Sequence, residues 1–312
     1  MSLILIDGSA LVYRSHYAFA NRPLTSPAGE TTSVAFGFLG ALLRLLVTHR
    51  PAHLAVVFDA PGRNFRHAMF PGYKAQRKPM PDELAEQLPR LQELLRLWGL
   101  PILRVPEVEA DDVMATLAAR SFGVCDRVWF YTGDKDFMQL LDERTGMLKP
   151  GRRGDEVSAF TLADVRREYG LEPADLVDVF ALSGDKADNI PGAPGVGDKT
   201  ALKLITEFGS LEALYAGLAR SALSPRLKRV LDEHRDQVFL SRDLFRIRRD
   251  VDLDVDWDAL AVRLPEDPAF FGLLQELGLR QVRALADAAT REGIGGAAAE
   301  AAPDQDPDTV DA

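Results

Sequence analysis

Short apolar runs that end in acidic or turn-forming residues recur through the first half of the chain. They predict strands over residues 3–6, 54–58, 102–105 and 128–131. Between them, apolar residues recur at helical spacing over residues 32–47, 82–98 and 109–122. Strands that alternate with helices are typical of an α/β fold, in which helices cover both faces of a parallel sheet.

The pattern changes after about residue 161. Short helical segments joined by Gly and Pro follow, over residues 161–169, 173–182, 198–208, 211–218 and 225–235. We therefore expect an α/β core over residues 1–165 and a mostly helical lobe over residues 166–290. Residues 291–312 are rich in Ala, Gly and acids, which predicts a disordered acidic tail or a linker.

Composition restricts the class of protein. The chain has 312 residues, 46% of them hydrophobic and 27% charged, which is typical of a globular protein of about two domains. The single cysteine, Cys125, excludes an intrachain disulfide framework and a cysteine-based zinc site. It fits a reducing compartment, so we expect a cytoplasmic protein with no membrane partner. The net charge of −10, taken alone, argues against nucleic acid as a partner.

Nine acids are candidates for one site. Three predicted strands end in acids, and the carboxyl ends of parallel strands lie at one edge of a sheet. Others lie at a predicted helix start and just before the glycine-rich segment of the helical lobe. Each acid alone has an ordinary explanation in a turn or at a helix start, so the interpretation rests on their convergence. The candidates are Asp7, Asp59, Glu109, Asp111, Asp112, Asp134, Asp136, Asp185 and Asp188.

Such a cluster requires cations. Two like charges about 4 Å apart repel by about 4 kcal/mol at an effective dielectric constant near 20. None of the five histidines has metal-ligand spacing with the acids, and oxygen donors alone favour Mg²⁺ or Mn²⁺. Two such ions can activate a water molecule and stabilise the leaving oxygen of a phosphodiester. The acids therefore indicate phosphodiester hydrolysis.

Residues 62–81 form a basic and aromatic insert. The insert has five bases and no acid, and Phe65, Phe70 and Tyr73 lie among the bases. Bases that pair with phosphates beside rings on which nucleobases stack are typical of a single-strand channel, although a solvated basic loop is the alternative. Arg14 is a further candidate phosphate contact, and a surface salt bridge would also explain it. The five bases are Arg63, Arg66, Lys74, Arg77 and Lys78.

A glycine-rich segment over residues 190–208 predicts a phosphate-binding hairpin. Gly192, Gly195 and Gly197 permit close backbone approach, and Lys199 and Thr200 follow at a predicted helix start. A tight turn between helices is the commoner meaning of such a segment. Residues 220–249 carry nine bases against four acids, which predicts a second basic surface.

Five sequence blocks follow one another along the chain: LIDG, VVFDAPGRNFRHAMFPGYKAQR, EVEADD, TGDKDF and GDKADNIPGAPGVGDKTA. In this order they resemble the bacterial 5′-nuclease family, which comprises the N-terminal domain of DNA polymerase I and its stand-alone relatives. The resemblance covers about residues 1–280 and implies a PIN-like core. It also implies a helical arch over about residues 62–95 and a helix-hairpin-helix-like (H3TH) motif over about 185–208.

The same resemblance implies roles for particular residues. Asp7, Asp59, Glu109, Asp111 and Asp112 are similar to a first metal cluster, and Asp134, Asp136, Asp185 and Asp188 to a second. Arg66, Tyr73, Lys74 and Arg77 match catalytic positions of the arch, and Arg14 matches an arginine that contacts a phosphate. Phe70 is a DNA-binding candidate from the pattern of the insert. The hairpin is compatible with the potassium ion that some members bind.

The expected function is a two-metal 5′→3′ exonuclease and flap endonuclease acting on DNA and on RNA–DNA primers. We expect a monomer, with a DNA polymerase as partner in cis or in trans. Without the nine candidate ligands and the five tail acids, the remaining charge is positive. Two alternatives stay open: a non-catalytic flap-binding protein would tolerate loss of the acids, and a PIN-like ribonuclease would need neither the hairpin nor a 5′ end.

Overall fold

A six-stranded sheet forms the centre of the fold. The computed structural model describes residues 1–151 and 156–295. The strand order is β3-β2-β1-β4-β5-β6, with β6 antiparallel to β5 and all other neighbours parallel. The strands are β1 (Ser2–Asp7), β2 (His53–Val57), β3 (Ile102–Leu103), β4 (Arg127–Tyr131), β5 (Thr145–Pro150) and β6 (Val157–Phe160). The four predicted strands are confirmed, whereas β5 and β6 were not predicted.

Fourteen α-helices occur in the described residues. They are α1 (Gly8–Ala18), α2 (Ser33–His49), α3 (Phe65–Met69), α4 (Asp82–Ala85), α5 (Leu88–Trp98), α6 (Ala110–Arg120), α7 (Leu162–Tyr169), α8 (Leu176–Ser183), α9 (Asp198–Phe208), α10 (Leu211–Gly217), α11 (Pro225–Glu233), α12 (Arg235–Phe245), α13 (Pro268–Glu276) and α14 (Arg280–Arg291). Short 3₁₀-helices cover Lys135–Leu140, Pro173–Asp175 and Leu218–Arg220.

Successive residues of β1 point to opposite faces of the sheet and join two separate cores. Leu3 and Leu5 pack in a first cluster that includes buried residues of α6, and Ile4 and Ile6 pack in a second with α2 and α5. All four side chains are fully buried. This alternation confirms the predicted parallel sheet with both faces covered.

The helical lobe has its own core, but its boundaries differ from the prediction. Residues of α8, α9 and α10 form a third hydrophobic cluster. Helices α13 and α14, which were expected in this lobe, instead pack in the second cluster against the sheet. The chain returns to the core before these helices, since Leu244, Phe245 and Ile247 already pack in the first cluster.

The predicted arch is shorter than its expected span of residues 62–95. Helix α5 buries Leu91, Leu94, Leu95 and Trp98 in the second cluster and therefore belongs to the core. The insert ahead of it contains the short helices α3 and α4, joined by turns. None of the helices in the described residues has the length and apolar character needed to cross a bilayer. Of the predicted tail, residues 296–312 lie outside the described part.

Candidate active site

Three predicted acids lie where parallel strands end. Asp7 is the last residue of β1 and the N-cap of α1, and its Oδ1 accepts a bond from the Ala10 N–H at 2.8 Å. Asp59 follows β2, and its Oδ1 accepts from the first N–H of α6 at 3.0 Å. Asp134 follows β4, and its Oδ1 accepts from the Asp136 N–H at 2.9 Å. These bonds hold carboxylates from three strands at one edge of the sheet.

Mutual repulsion shows how near these acids are. Burial, together with the charges of Asp59 and Asp134, raises the pKa of Asp7 to about 6. Burial and the charges of Asp134 and Asp7 raise the pKa of Asp111 well above its usual value. Burial and the charge of Asp134 raise the pKa of Asp136 to about 8. We call these five residues the carboxylate edge, since their negative charge is concentrated in one region.

The carboxylate edge fits divalent cations. Oδ1 of Asp136 is buried without a hydrogen-bond partner in the structure, although buried carboxylate oxygens normally have one. All donors of the edge are carboxylate oxygens, which suit hard ions such as Mg²⁺ or Mn²⁺. Within residues 1–151 and 156–295, no group of three or more His, Cys, Asp or Glu side chains is arranged so that it could hold a metal ion. The edge therefore matches a cation in charge and donor type without forming a closed coordination shell.

Lys74 lies beside two further candidate ligands. Its Nζ is 2.5 Å from Glu109 Oε1 and 3.7 Å from Asp188 Oδ2. Arg77 approaches Asp188 Oδ1 at 2.5 Å from the exposed side. Burial alone would raise the pKa of Glu109, but the charges of Lys74 and Arg66 hold it below its usual value. Lys74 and Arg77 therefore lie beside Glu109 and Asp188, and their catalytic role stays a prediction.

The structure gives Arg66 and Asp112 a different place from the one expected. Asp112 is completely buried, and Arg66 binds its two oxygens at 2.7 and 2.8 Å. Arg66 also donates to the carbonyls of Leu244 at 2.9 Å and Arg246 at 2.8 Å. The Asp112 oxygens accept from the N–H groups of Glu109 and Arg248 as well. Both side chains therefore have protein partners in this structure, and Asp112 as a metal ligand and Arg66 as a phosphate contact stay predictions.

Two aromatic residues of the insert face the interior. Tyr73 is buried, and its hydroxyl donates to Glu109 Oε2 at 2.9 Å. Burial and the charge of Glu109 raise the pKa of Tyr73, so the phenol stays protonated. Phe70 packs partly buried against the first core cluster. Tyr73 therefore orients Glu109 here, and stacking of DNA bases on Phe70 stays a prediction.

A cleft of about 330 Å³ lies beside the carboxylate edge. Asp7, Thr132 and Asp134 line it, together with Arg14 from α1. The Arg14 guanidinium donates a hydrogen bond to the carbonyl of Gly151. The cleft thus joins an arginine to two edge acids, which is compatible with the predicted phosphate contact.

The hairpin glycines have two different roles. A Cβ on Gly192 would lie 2.4–2.6 Å from backbone atoms of residues 182–184, so the backbone of this lobe itself requires glycine there. Gly195 has a φ of +77° and open space around it, and Gly197 is equally open at the N-cap of α9. Lys199 is exposed and Thr200 half-buried in the first turn of α9. Gly195, Gly197 and Lys199 can therefore be reached from outside, whereas Gly192 serves internal packing.

Three polar residues near the acids were not predicted. The Thr132 hydroxyl donates to Asp7 Oδ2 at 3.2 Å, and Lys135 Nζ is 3.1 Å from Asp185 Oδ2. Asn64 donates from Nδ2 to Glu109 Oε1 at 2.9 Å. Thr132 and Lys135 belong to the block TGDKDF, so that block contained the signal. Asn64 belongs to the block VVFDAPGRNFRHAMFPGYKAQR, but no spacing rule links it to Glu109, which is 45 residues away.

Comparison with known proteins places the chain in a family. The model of the "5′-3′ exonuclease, N-terminal resolvase-like domain" matches residues 2–170, and that of the "5′-3′ exonuclease, C-terminal SAM fold" matches residues 171–268. A 5′-3′ exonuclease of Aquifex aeolicus is 36% identical over 282 residues, which cover 90% of this chain and 93% of the relative. DNA polymerase I of Pseudomonas aeruginosa is 43% identical, over 88% of this chain and 30% of the relative. The chain thus spans about a third of that polymerase.

Solved structures share the fold. Bacteriophage T5 5′-exonuclease with bound zinc superposes with a TM-score of 0.66 at 19% identity, covering 93% of this chain and 99% of the other. The catalytic core of Rad2 in complex with a DNA substrate gives a TM-score of 0.60 at 19% identity, covering 92% and 91%. The two family models together cover residues 2–268, and the Aquifex relative is matched over nearly its whole length. The chain belongs to the 5′-3′ exonuclease family.

Proposed function

We propose that this chain hydrolyses phosphodiester bonds of DNA from the 5′ end and cuts 5′ flaps, with divalent metal ions bound at the carboxylate edge. The observation that carries the proposal is the buried, unpartnered oxygen of Asp136, within a group of acids whose pKa values are raised by burial and repulsion. A folded protein retains such a group when a bound cation offsets the repulsion. RNA–DNA primers are included as substrates.

The residues of the edge have distinct tasks in this proposal. Two Mg²⁺ or Mn²⁺ ions, when bound, supply activation of the attacking water and stabilisation of the leaving oxygen. The carboxylate edge would hold them, with Glu109, Asp185 and Asp188 as further ligands. Lys74 and Arg77 place positive charge at the mouth of this site, where the scissile phosphate would lie.

A separate surface would hold the duplex. The open backbone at Gly195 and Gly197, followed by exposed Lys199 and by Thr200 at the start of α9, presents N–H groups and one positive charge to a phosphate. Arg14, at the cleft beside the edge, would contact a second phosphate near the scissile bond. In this proposal the sheet edge cleaves the phosphodiester bond and the helical lobe binds the duplex.

The proposal also includes the finer expectations from the sequence. They are a potassium ion at the hairpin, a DNA polymerase partner, a monomeric protein, and action at the cytoplasmic nucleoid in replication and repair. Each rests on the family resemblance.

A single assay tests the proposed function. A 5′-labelled flap duplex is incubated with the protein in Mg²⁺ and, in parallel, in EDTA. We expect cleavage near the flap junction in Mg²⁺ and intact substrate in EDTA. Binding in both conditions without product would instead support a non-catalytic flap-binding protein. Cleavage of an RNA hairpin in preference to the flap would support a ribonuclease.

A further inference from the structure

The segment that carries Lys74 has little structure of its own. Residues 71–77, here called the arch foot, form successive turns with local backbone bonds such as Ala75 N–H to Gly72 O at 3.1 Å. Lys74 has a φ of +54°, a conformation that non-glycine residues rarely adopt. Such a segment needs contacts from elsewhere to hold a defined position.

The loop before the hairpin is well fixed by comparison. Asp185 and Ile190 exchange two backbone bonds, of 2.9 and 2.8 Å, which close residues 185–190 into a small loop. The side chain of Asp185 also accepts from the Ala187 N–H at 2.7 Å. Behind the loop, the backbones of Gly184 and Gly192 pack so closely that neither position has room for a Cβ. This loop can therefore act as a rigid support for the arch foot.

Asn189 connects the loop to both ends of the foot. Its Nδ2 donates to the carbonyl of Gly72 at 2.7 Å, and its Oδ1 accepts from Gln76 Nε2 at 3.0 Å. Next to it, the carbonyl of Asp188 accepts from the Lys74 N–H at 2.8 Å. Asn189 has a φ of +54°, where asparagine is better tolerated than most residues. An amide is the side chain that both donates and accepts, so the residue type fits both bonds.

We propose that Asn189 is a positioning residue that fixes the arch foot so that Lys74 Nζ lies between Glu109 and Asp188. The side-chain hydrogen bonds of Asn189 go to Gly72 and Gln76 and to none of the acids of the carboxylate edge. It acts through Gly72, two residues before Lys74. This inference rests on the proposed function, because it concerns the placement of a group that the proposal assigns to the scissile phosphate.

The test measures flap cleavage by Asn189→Gly, which removes the side chain but keeps the positive φ accessible. We expect kcat to fall about 10- to 100-fold, because displaced catalytic groups lose that much, with KM within about twofold. Asn189→Asp keeps the acceptor for Gln76 and loses the donor to Gly72, so it should lose nearly as much. Gln76→Ala, which keeps the Gly72 bond, is the matched control and should stay within about threefold of wild type.

A double variant separates positioning from general stability. If Asn189 acts through Lys74, Asn189→Gly should change cleavage by less than about twofold in a Lys74→Ala background. Independent, multiplicative losses in the double variant, or normal kcat in Asn189→Gly, would overturn the inference. Thermal unfolding of each variant shows whether the protein is folded, and Asn189→Asp replaces Asn189→Gly if the latter is not. A wild-type protein that fails to cut in Mg²⁺ would refute the proposed function, whereas normal cutting by Lys74→Ala would refute the role of Lys74 and its positioning and leave metal-dependent hydrolysis standing.

Discussion

Two charged regions meet at the start of α6 and differ in how their charge is balanced. In the Arg66–Asp112 pair, a completely buried carboxylate binds a guanidinium through both oxygens. At the carboxylate edge, Asp136 has a buried oxygen with no partner in the structure. Burial and repulsion raise the pKa of Asp7 and Asp136 there. The first region is complete as folded, whereas the second leaves a buried carboxylate oxygen without a partner, which a bound cation would supply.

Asp111 and Asp112 show how finely the two regions are divided. They are neighbours in the first turn of α6, but adjacent helical residues point about 100° apart. Asp112 faces inward to Arg66, whereas Asp111 meets the charges of Asp134 and Asp7. An acid in the same motif can therefore serve the fold or the chemistry, and what decides is whether the protein supplies its counter-charge.

The largest expected effect is the loss of flap cleavage when an acid of the carboxylate edge is removed. Asp134→Ala should lower cleavage of a flap duplex in Mg²⁺ by about 1,000-fold or more, because charge stabilisation by bound metal supplies several kcal/mol. Binding of the same duplex in EDTA should change little. Asp254→Ala, at an exposed acid elsewhere, is the control and should cleave normally. Full activity in Asp134→Ala would remove the basis for assigning metal to the edge.

The second effect is a loss of stability when the Arg66–Asp112 pair is broken. Arg66→Met should lower the free energy of unfolding by about 3 kcal/mol or more, because Asp112 would be left buried without its partner. Urea unfolding measures this, and Arg63→Met, at an exposed base of the same segment, should stay within about 0.5 kcal/mol of wild type. A stable Arg66→Met protein with lost cleavage would instead support the phosphate contact implied by the resemblance.

The sequence predicted the convergence of acids at the carboxylate edge but not the Arg66–Asp112 pair, and the reason is physical. Asp7, Asp59 and Asp134 could be predicted to converge because parallel strands end at one edge. Arg66 and Asp112 are 46 residues apart, so their pairing could not be predicted from spacing. No spacing rule says which acid of EADD faces the core. The glycines of the hairpin could not be distinguished from the sequence either. Only the folded backbone shows that Gly192 is packed against residues 182–184, whereas Gly195 has open space around it. Close tertiary contact determines these details.

The third effect is a gain in stability in EDTA when Asp136 of the carboxylate edge is neutralised. Asp136→Asn should raise the free energy of unfolding in EDTA at pH 7 by about 1–2 kcal/mol, because an amide stays neutral in this buried acidic group without binding a proton that the unfolded chain has released. The same change should reduce cleavage in Mg²⁺. Asp185→Asn is the matched control, because Lys135 already balances that carboxylate at 3.1 Å, and it should give no gain. An Asp136→Asn protein less stable than wild type in EDTA would mean that the protein already balances this charge.

The last effect concerns how the free energy of unfolding depends on pH with and without metal. Raised pKa values of about 6 for Asp7 and about 8 for Asp136 mean that the folded protein keeps protons that the unfolded chain has released. Stability in EDTA is therefore greatest near the unfolded pKa of about 4 and falls as pH rises through about 6 and then about 8.

We expect the free energy of unfolding in EDTA to fall by about 1.4 kcal/mol per pH unit for each proton that the folded protein keeps and the unfolded chain has released, measured by urea unfolding at fixed ionic strength. In Mg²⁺ the sign should reverse, because the cation binds the ionised acids and competes with protons. Asp136→Asn should make the EDTA curve less steep above pH 6, since Asp7 has then released most of its proton and the contribution of Asp136 is absent. A slope that is the same in EDTA and Mg²⁺ would show that the carboxylate edge binds no cation, and its acids would then resemble Asp112 in being balanced by the protein itself.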